Sequence, residues 1–340
     1  MKTRVVPINP RRPAARAIAQ GAALLRAGEL VAFPTETVYG LGADALRPEA
    51  VQKIFQVKGR PLDNPLIVHI ADRDHLRQLA RKVPPAAFTL TDRFWPGPLT
   101  LVLPRSAAIP PEVTGGLETV AVRMPAHPVA LALIRESGVP VAAPSANRSG
   151  RPSPTTAAHV LRDLGGRIPL ILDGGPTEIG VESTVLDLTG PTPVLLRPGG
   201  VTLEELQAVV GPVDLKPVEG FRRRSPGTRY RHYRPRARTV LVLGSRPGLA
   251  QEVVEAHQAA GKKVGLIHRG RHLRATSSSV LVKVLPKDIA GYARGLFAAL
   301  RALDDAGVDI IVVEGVSEQG LGLAVMDRLR RAASEVVGGT

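Results

Sequence analysis

Apolar positions fall into short runs whose spacing alternates between helical and strand-like along the chain. Residues 13–27 place apolar side chains three and four apart and predict a helix. Residues 30–39 open with LVAF and predict a buried strand. It would carry Phe33, Thr35, Thr37 and Tyr39 on one face and Pro34, Glu36 and Val38 on the other, with Pro34 marking its end or a sheet edge. PEAVQKIFQVKG (48–59) predicts a helix stopped by Gly59. PLIVHI (65–70), LTLVLP (99–104) and TVAVRM (119–124) predict strands, and HPVALALIRESG (127–138) a helix ending at Gly138. PVAAPSAN (140–147) reads as a short strand entering a polar loop. LILDG (170–174), STVLDL (183–188) and PVLLRPG (193–199) read as strands at hairpin-like spacing. Together they predict a mixed α/β sheet with helices.

The pattern breaks after Gly211. Residues 212–238 have no period, four prolines and many charges, and read as a linker. Beyond them strands alternate with helices: TVLVLG (239–244), a helix over 248–260, VGLIH (264–268), VLVKVL (280–285), a long helix from Asp288, DIIVVEG (309–315) and a final helix. In the long helix Ile289, Tyr292, Leu296, Leu300 and Leu303 share one face, and Gly307 ends it. This alternation predicts a smaller, parallel, Rossmann-like α/β domain. The expected organisation is a first domain over 1–211, a basic linker over 212–238 and a second domain over 239–340.

Composition narrows the function classes. A chain of 340 residues is long enough for two cores. It has no cysteine, which removes disulfides, thiolate metal sites and thiol nucleophiles and suits a reducing, cytoplasmic setting. The N-terminal MKTRVVPINPRRPAAR lacks the apolar stretch of a secretory signal. The segment after Arg11-Arg12 is interrupted by Gln20, Gly21 and Arg26, and no run approaches membrane-spanning length. The formal net charge is +15, and residues 212–238 hold nine Lys or Arg against Asp214 and Glu219. Such an excess attracts phosphates, on nucleotides or on nucleic acid, although solubility alone is the commoner meaning of a basic surface.

Three polar clusters carry candidate chemistry. In FPTETVYGLGADA (33–45), Thr35, Thr37 and Tyr39 would form a hydrogen-bonding wall or an ordinary threonine-rich strand face. In VKGRPLDNPLIVHI (57–70), Lys58, Arg60 and Asn64 share one Gly- and Pro-punctuated loop, a set that suits a polyanion, while His69 follows on the strand. In APSANRSGRPSPT (143–155), hydroxyls and backbone N–H groups suit phosphate, or make a plain surface loop. Arg123, the ESTV segment (182–185) and Arg197 add polar groups at strand ends, where α/β sheets bind ligands. Asp44, Asp63, Asp173 and Glu182 could act as acid or base, although nothing in their spacing singles them out. There is no P-loop, GxSxG elbow, HExxH or metal-ligand spacing.

The clusters gain specificity from their order. PTETVYGLG, KGRPLDNPLIVHI, FWPGPLT, VAVRMP, APSANRSGRPSPT, ESTV, LRPG and SPGTRYRHYRP occur in one succession across the first domain and the linker. This strongly resembles the L-threonylcarbamoyladenylate synthases of the YrdC-like family, and the trailing domain resembles that of their longer, two-domain form. The resemblance implies a YrdC-like twisted mixed sheet followed by a Rossmann-like domain. It implies a nucleotidyltransferase that joins L-threonine, bicarbonate or CO2 and ATP into threonylcarbamoyl-AMP, releasing pyrophosphate. Mg²⁺ would arrive with ATP and would not be caged by the protein. Transfer proteins would then use the product to modify the adenosine beside the tRNA anticodon. By similarity, Thr37, His69, Arg123, Ala143 (through its backbone) and Ser183 would line the threonine pocket. Lys58, Arg60, Asn64, Thr119, Ser145, Asn147, Ser153, Arg197 and Tyr233 would contact ATP, with Lys58 and Arg60 offsetting phosphate charge in catalysis. The linker would fold over the nucleotide as a lid. In it Thr228, Arg229 and Arg234 depart from the commoner reading SPGMKYRHYAP.

Two rivals stand beside this reading. One is a non-catalytic protein of the same fold that binds tRNA or double-stranded RNA; only 3% of residues are aromatic, which leaves little for base stacking. The other is a carbamoyl-transferring maturation enzyme, whose zinc-finger segments need the cysteines this chain lacks.

Overall fold

The computed structural model describes residues 2–215, 232–244, 246, 248–270 and 280–338. They form two compact units: one of residues 2–149 and 153–215, the other of residues 150–152 together with those from 232 onward.

The first unit is built on a sheet of ten strands, β1 (Arg4–Pro7), β2 (Val31–Phe33), β3 (Gly40–Asp44), β4 (Ile67–His69), β5 (Leu99–Pro104), β6 (Thr119–Arg123), β7 (Val141–Ala142), β8 (Leu170–Asp173), β9 (Thr184–Asp187) and β10 (Val194–Arg197). Their spatial order is β1-β8-β2-β3-β7-β4-β6-β5-β9-β10. Four neighbouring pairs are parallel (β1/β8, β2/β8, β4/β6, β5/β9) and five antiparallel (β2/β3, β3/β7, β4/β7, β5/β6, β9/β10), so the sheet is mixed. The helices Ala15–Arg26 and Pro128–Ser137 pack on one part of it through Ile18, Ala22, Leu25, Val129, Leu133 and Ile134. The predicted helix stops hold: Gly59 and Gly138 follow their helices with φ of 61° and 67°, values an L side chain rarely adopts.

The second unit carries β11 (Arg238–Val242), β12 (Val264–Arg269), β13 (Val280–Leu285), β14 (Ile310–Glu314) and β15 (Glu335–Val337) in the order β13-β12-β14-β11-β15, every pair parallel. The long helix Ile289–Asp305 begins where predicted, with the Asp288 side chain accepting from Gly291 N. Among the described residues no helix is long and apolar enough to cross a membrane.

The chain departs from the sequence expectation around residues 30–39. The strand stops at Phe33 and returns as β3 from Gly40, with Phe33 opposite Gly40. Pro34 has no N–H to continue the ladder. The Thr35 hydroxyl accepts from Thr37 N and Val38 N and donates to Val38 O at 2.6 Å, closing a turn. No shared strand face therefore joins Thr35, Thr37 and Tyr39. Tyr39 is buried, its hydroxyl donates to Gly175 O at 2.7 Å, and burial pushes that phenol well above its ordinary pKa. Gly42 makes room for the core: a β-carbon there would lie 2.8 Å from both the Phe33 ring and the Val141 side chain.

Two further differences concern connectivity. Only β9 and β10 form the expected hairpin, while β8 lies across the sheet between β1 and β2. The sequence pattern also passed over β1, β15 and the helices Pro85–Phe94, Ala157–Leu164 and Leu203–Val210, the last held by a Thr202–Glu205 capping box.

Gly199 lets the chain leaving β10 press against the segment entering β9. A β-carbon at 199 would lie 2.2 Å from Thr184 N and 2.5 Å from Glu182 O, both backbone atoms. Gly199→Ala should cost about 1–3 kcal/mol in urea denaturation, the usual cost of overpacking, and an unchanged midpoint would show that the approach is relaxed in solution.

Candidate functional site

Strand register collects polar groups on one sheet face. His69 pairs with Arg123 and Ile67 with Ala121 across the parallel β4/β6 pair. Leu101 pairs with Val122, which sets Thr100 beside Arg123, and Thr100 pairs with Val185. Alternation then puts Thr119, Ala121 and Arg123 on the same face as His69, Thr100 and Ser183. Apolar side chains of Ile67, Val102, Ala121, Val185, Val194 and Leu196 form a buried cluster beside them.

Arg123 is the fixed point of this face. Its side chain is buried, and Nη2 lies 2.6 Å from Glu36 Oε1, whose side chain is buried as well. Nη1 donates to Thr37 Oγ1 at 3.0 Å and Nε to Gly97 O at 3.2 Å. Neither Glu36 oxygen nor Arg123 Nη2 makes an aligned hydrogen bond, so hydrogen-bonding capacity remains buried here, as is usual where a ligand completes a site. His69 beside them is buried, with Nδ1 3.2 Å from Ile67 O. Burial, and then the Arg123 charge, push its pKa down to about 3, so the ring is neutral. Ala143 N donates to Ile67 O at 2.9 Å, which commits its N–H. These groups suit a small polar solute.

A second cluster gathers the cations. Lys58 closes the helix Pro48–Lys58, is buried, and donates to Ser145 O and Asn147 O, both at 2.5 Å. Ser145 Oγ donates to Asn147 Oδ1 at 2.6 Å, and Asn147 Nδ2 to Arg148 O. Arg60 bends over its own loop, donating to Asn64 O and Pro65 O at 3.2 and 2.8 Å. Two buried cations framed by hydroxyls and amides suit a polyanion.

The remaining predicted residues connect these clusters. Arg197 donates to Ser183 O and to Ser183 Oγ, which lies 2.8 Å from Thr100 Oγ1. Ser153 donates to Glu182. Backbone bonds join the loops: Ile179 N to Glu36 O, Gly180 N to Thr37 O, Tyr39 N to Pro154 O and Ala146 N to Tyr39 O. Tyr233 belongs to the second unit, where its ring stacks on Phe297. Of the linker expected to act as a lid, residues 216–231 lie outside the described residues. Sequence reasoning missed Glu36 as the partner of Arg123, and also Thr100. The one signal for Thr100 was a hydroxyl inside the otherwise apolar LTLVLP. Among the described residues no group of three or more His, Asp or Glu is placed to hold a metal ion.

Known proteins match nearly the whole length. A family model described as "Telomere recombination" matches residues 23–199, and one described as "Threonylcarbamoyl-AMP synthase, C-terminal domain" matches residues 201–334. The threonylcarbamoyl-AMP synthase of Pyrococcus abyssi is 53% identical over 319 residues, 92% of each chain. That of Bacillus subtilis is 52% identical over 327 residues, 93% of this chain and 92% of the other. The crystal structure of P. abyssi Sua5 complexed with L-threonine matches with a TM-score of 0.93 at 49% identity, covering 99% of this chain and all of that one. The E. coli YciO structure matches 58% of this chain and 96% of its own, with a TM-score of 0.54 at 27% identity.

Two predictions follow from the buried charges. Glu36→Ala leaves Arg123 buried without its counter-charge and should cost about 3–5 kcal/mol in denaturant titration; a loss below 1 kcal/mol would mean that water already compensates it. His69 holds its ring neutral in the folded state down to about pH 3, whereas an unfolded histidine takes up a proton near 6.5. Its contribution to stability is therefore complete above about pH 6.5 and is lost as pH falls toward 3. His69→Gln should flatten that part of the stability–pH curve, and an NMR titration of the ring should show no protonation between pH 5 and 8.

Proposed function

The chain belongs to the threonylcarbamoyl-AMP synthase family, and from that premise we propose how its residues divide the work of making threonylcarbamoyl-AMP from L-threonine, bicarbonate or CO2 and ATP. The observation that carries the reading is the match over nearly the whole chain to a structure solved with L-threonine, at 49% identity. It favours a nucleotidyltransferase over the non-catalytic RNA-binding alternative.

The threonine pocket is assigned to the face around Arg123, with Thr37, His69, Ser183 and the Ala143 carbonyl. A neutral His69 suits it, because a second cation beside Arg123 would repel the substrate ammonium. The nucleotide is assigned to Lys58, Arg60, Asn64, Thr119, Ser145, Asn147, Ser153, Arg197 and Tyr233. Mg²⁺ would enter as its ATP complex and supply charge compensation for the triphosphate. The catalytic unit is assigned to residues 1–211 and the Rossmann-like domain to 239–340.

The chemistry needs no protein nucleophile. The uncharged threonine amine adds to CO2, forming an N–C bond and losing a proton to give a carbamate. A carbamate oxygen then attacks the α-phosphorus of ATP, the bond to the β-phosphate oxygen breaks, and pyrophosphate leaves. The residues contribute alignment of the two reactants and fixed positive charge. Lys58, clamped between two carbonyls, is a preorganised ammonium. The labile product would pass in the cytoplasm to transfer proteins that modify tRNA.

The test is pyrophosphate release by purified protein with ATP, Mg²⁺ and bicarbonate. Release should require L-threonine and fall sharply with L-serine; folded protein that releases none would sink the reading. Lys58→Ala should lower turnover by about 10²–10³-fold while threonine affinity changes little. Unchanged turnover would remove Lys58 from the chemistry.

A further inference from the structure

The Arg123–Glu36 pair lies wholly within the first unit and is only partly filled. Glu36 is 4% exposed and Arg123 3%. Glu36 Oε1 stands 2.6 Å from Arg123 Nη2, yet neither Glu36 oxygen nor Nη2 makes an aligned hydrogen bond with a described residue. The rest of the guanidinium is committed, Nη1 to Thr37 Oγ1 and Nε to Gly97 O. The main chain around the carboxylate is committed too. Ile179 N donates to Glu36 O, Gly180 N to Thr37 O, and the Thr35 hydroxyl closes the turn.

As a stabilising device alone such a pair is poor. Well-packed apolar residues of similar volume usually serve as well or better, and buried polar groups are as a rule hydrogen-bonded. What stays open here is of both signs: acceptors on Glu36 and a donor on Arg123. The histidines nearby add no charge. His69, beside Arg123, is neutral because burial and then the Arg123 charge push its pKa down to about 3. His127 feels the Glu36 charge, but its Nδ1 accepts from Val129 N at 3.2 Å, so that nitrogen carries no proton. Burial holds its pKa below the ordinary value as well. Glu178, which also acts on His127, is exposed and screened by water. The buried charges of this corner are thus one cation and one anion. A solute that enters it bearing a carboxylate alone would set a second anion beside Glu36, at a high cost in a buried site. A solute bearing a carboxylate and an ammonium offers each end its counter-charge.

We propose that Glu36 is a specificity-determining residue of the threonine pocket: it makes the site read the substrate's ammonium together with its carboxylate, and reject acids that lack the ammonium. The inference rests on the assignment of threonine to the Arg123 face. Selection falls at binding, before the amine gives up its proton.

The experiment uses the full-length chain, wild type and Glu36→Gln. Calorimetry measures the binding of L-threonine and of 3-hydroxybutanoate of matching configuration, which keeps the carboxylate and hydroxyl and lacks the ammonium. Wild type should prefer threonine by about 10²-fold or more, since a site built for a polar group rejects the analogue without it. Glu36→Gln keeps the size and removes the charge. It should shrink the preference by about tenfold or more, losing affinity for threonine while affinity for the desamino acid holds or rises. An equal loss of both ligands marks a structural role and overturns the proposal, and so does an unchanged affinity for threonine. Should Glu36→Gln fail to fold, wild type decides: hydroxybutanoate bound within about threefold of threonine overturns the proposal. Wild-type protein that binds threonine selectively and releases no pyrophosphate would sink the synthase reading and leave this one standing.

Discussion

A guanidinium with almost no access to water must meet a counter-charge, and Arg123 meets it in Glu36 at 2.6 Å. The organisation of the first unit around its candidate site depends on that pairing. Desolvating two ions is expensive, and their mutual attraction offsets the cost only when geometry and further hydrogen bonds support it. Gly97 O and Thr37 Oγ1 supply that support. Glu36 reaches Arg123 only because β2 breaks at Pro34 and turns. Had the strand continued, the carboxylate would have followed the strand's alternation. The turn is thus a requirement of the ion pair, and the backbone bonds from Ile179 and Gly180 to Glu36 and Thr37 tie a second loop to it.

The same economy governs the cationic cluster. Lys58 is buried against two backbone carbonyls, which compensate its charge by dipoles. Arg60 is held in the same manner by Asn64 O and Pro65 O. Charge is thus met by a carboxylate at Arg123, whereas main-chain carbonyls are among the partners of Lys58 and Arg60.

Much of this was legible in the sequence wherever a period or a stop residue carried the information. The helix ending at Gly59, the alternation of the second domain and the polar character of 143–155 are of that kind. The turn at 34–39 was not legible, because the hydroxyl bonds of Thr35 decide it and leave no periodic trace. The carbonyls to which Lys58 and Arg60 donate are main-chain groups, which every residue has and no composition reveals. Long-range pairs such as Arg123 with Glu36 join positions 87 residues apart, a distance over which local patterning is silent.

The hydroxyls beside Arg123 form a short relay that begins at its guanidinium. Arg123 donates to Thr37 Oγ1, the Thr37 and Thr35 oxygens lie 2.8 Å apart, and Thr35 donates to Val38 O. Both threonines are almost fully buried. A valine in place of Thr37 would keep the shape of this corner and leave an Arg123 N–H facing carbon where water does not reach. The two hydroxyls thus bind a charge to a turn of main chain, and shape alone could not do so.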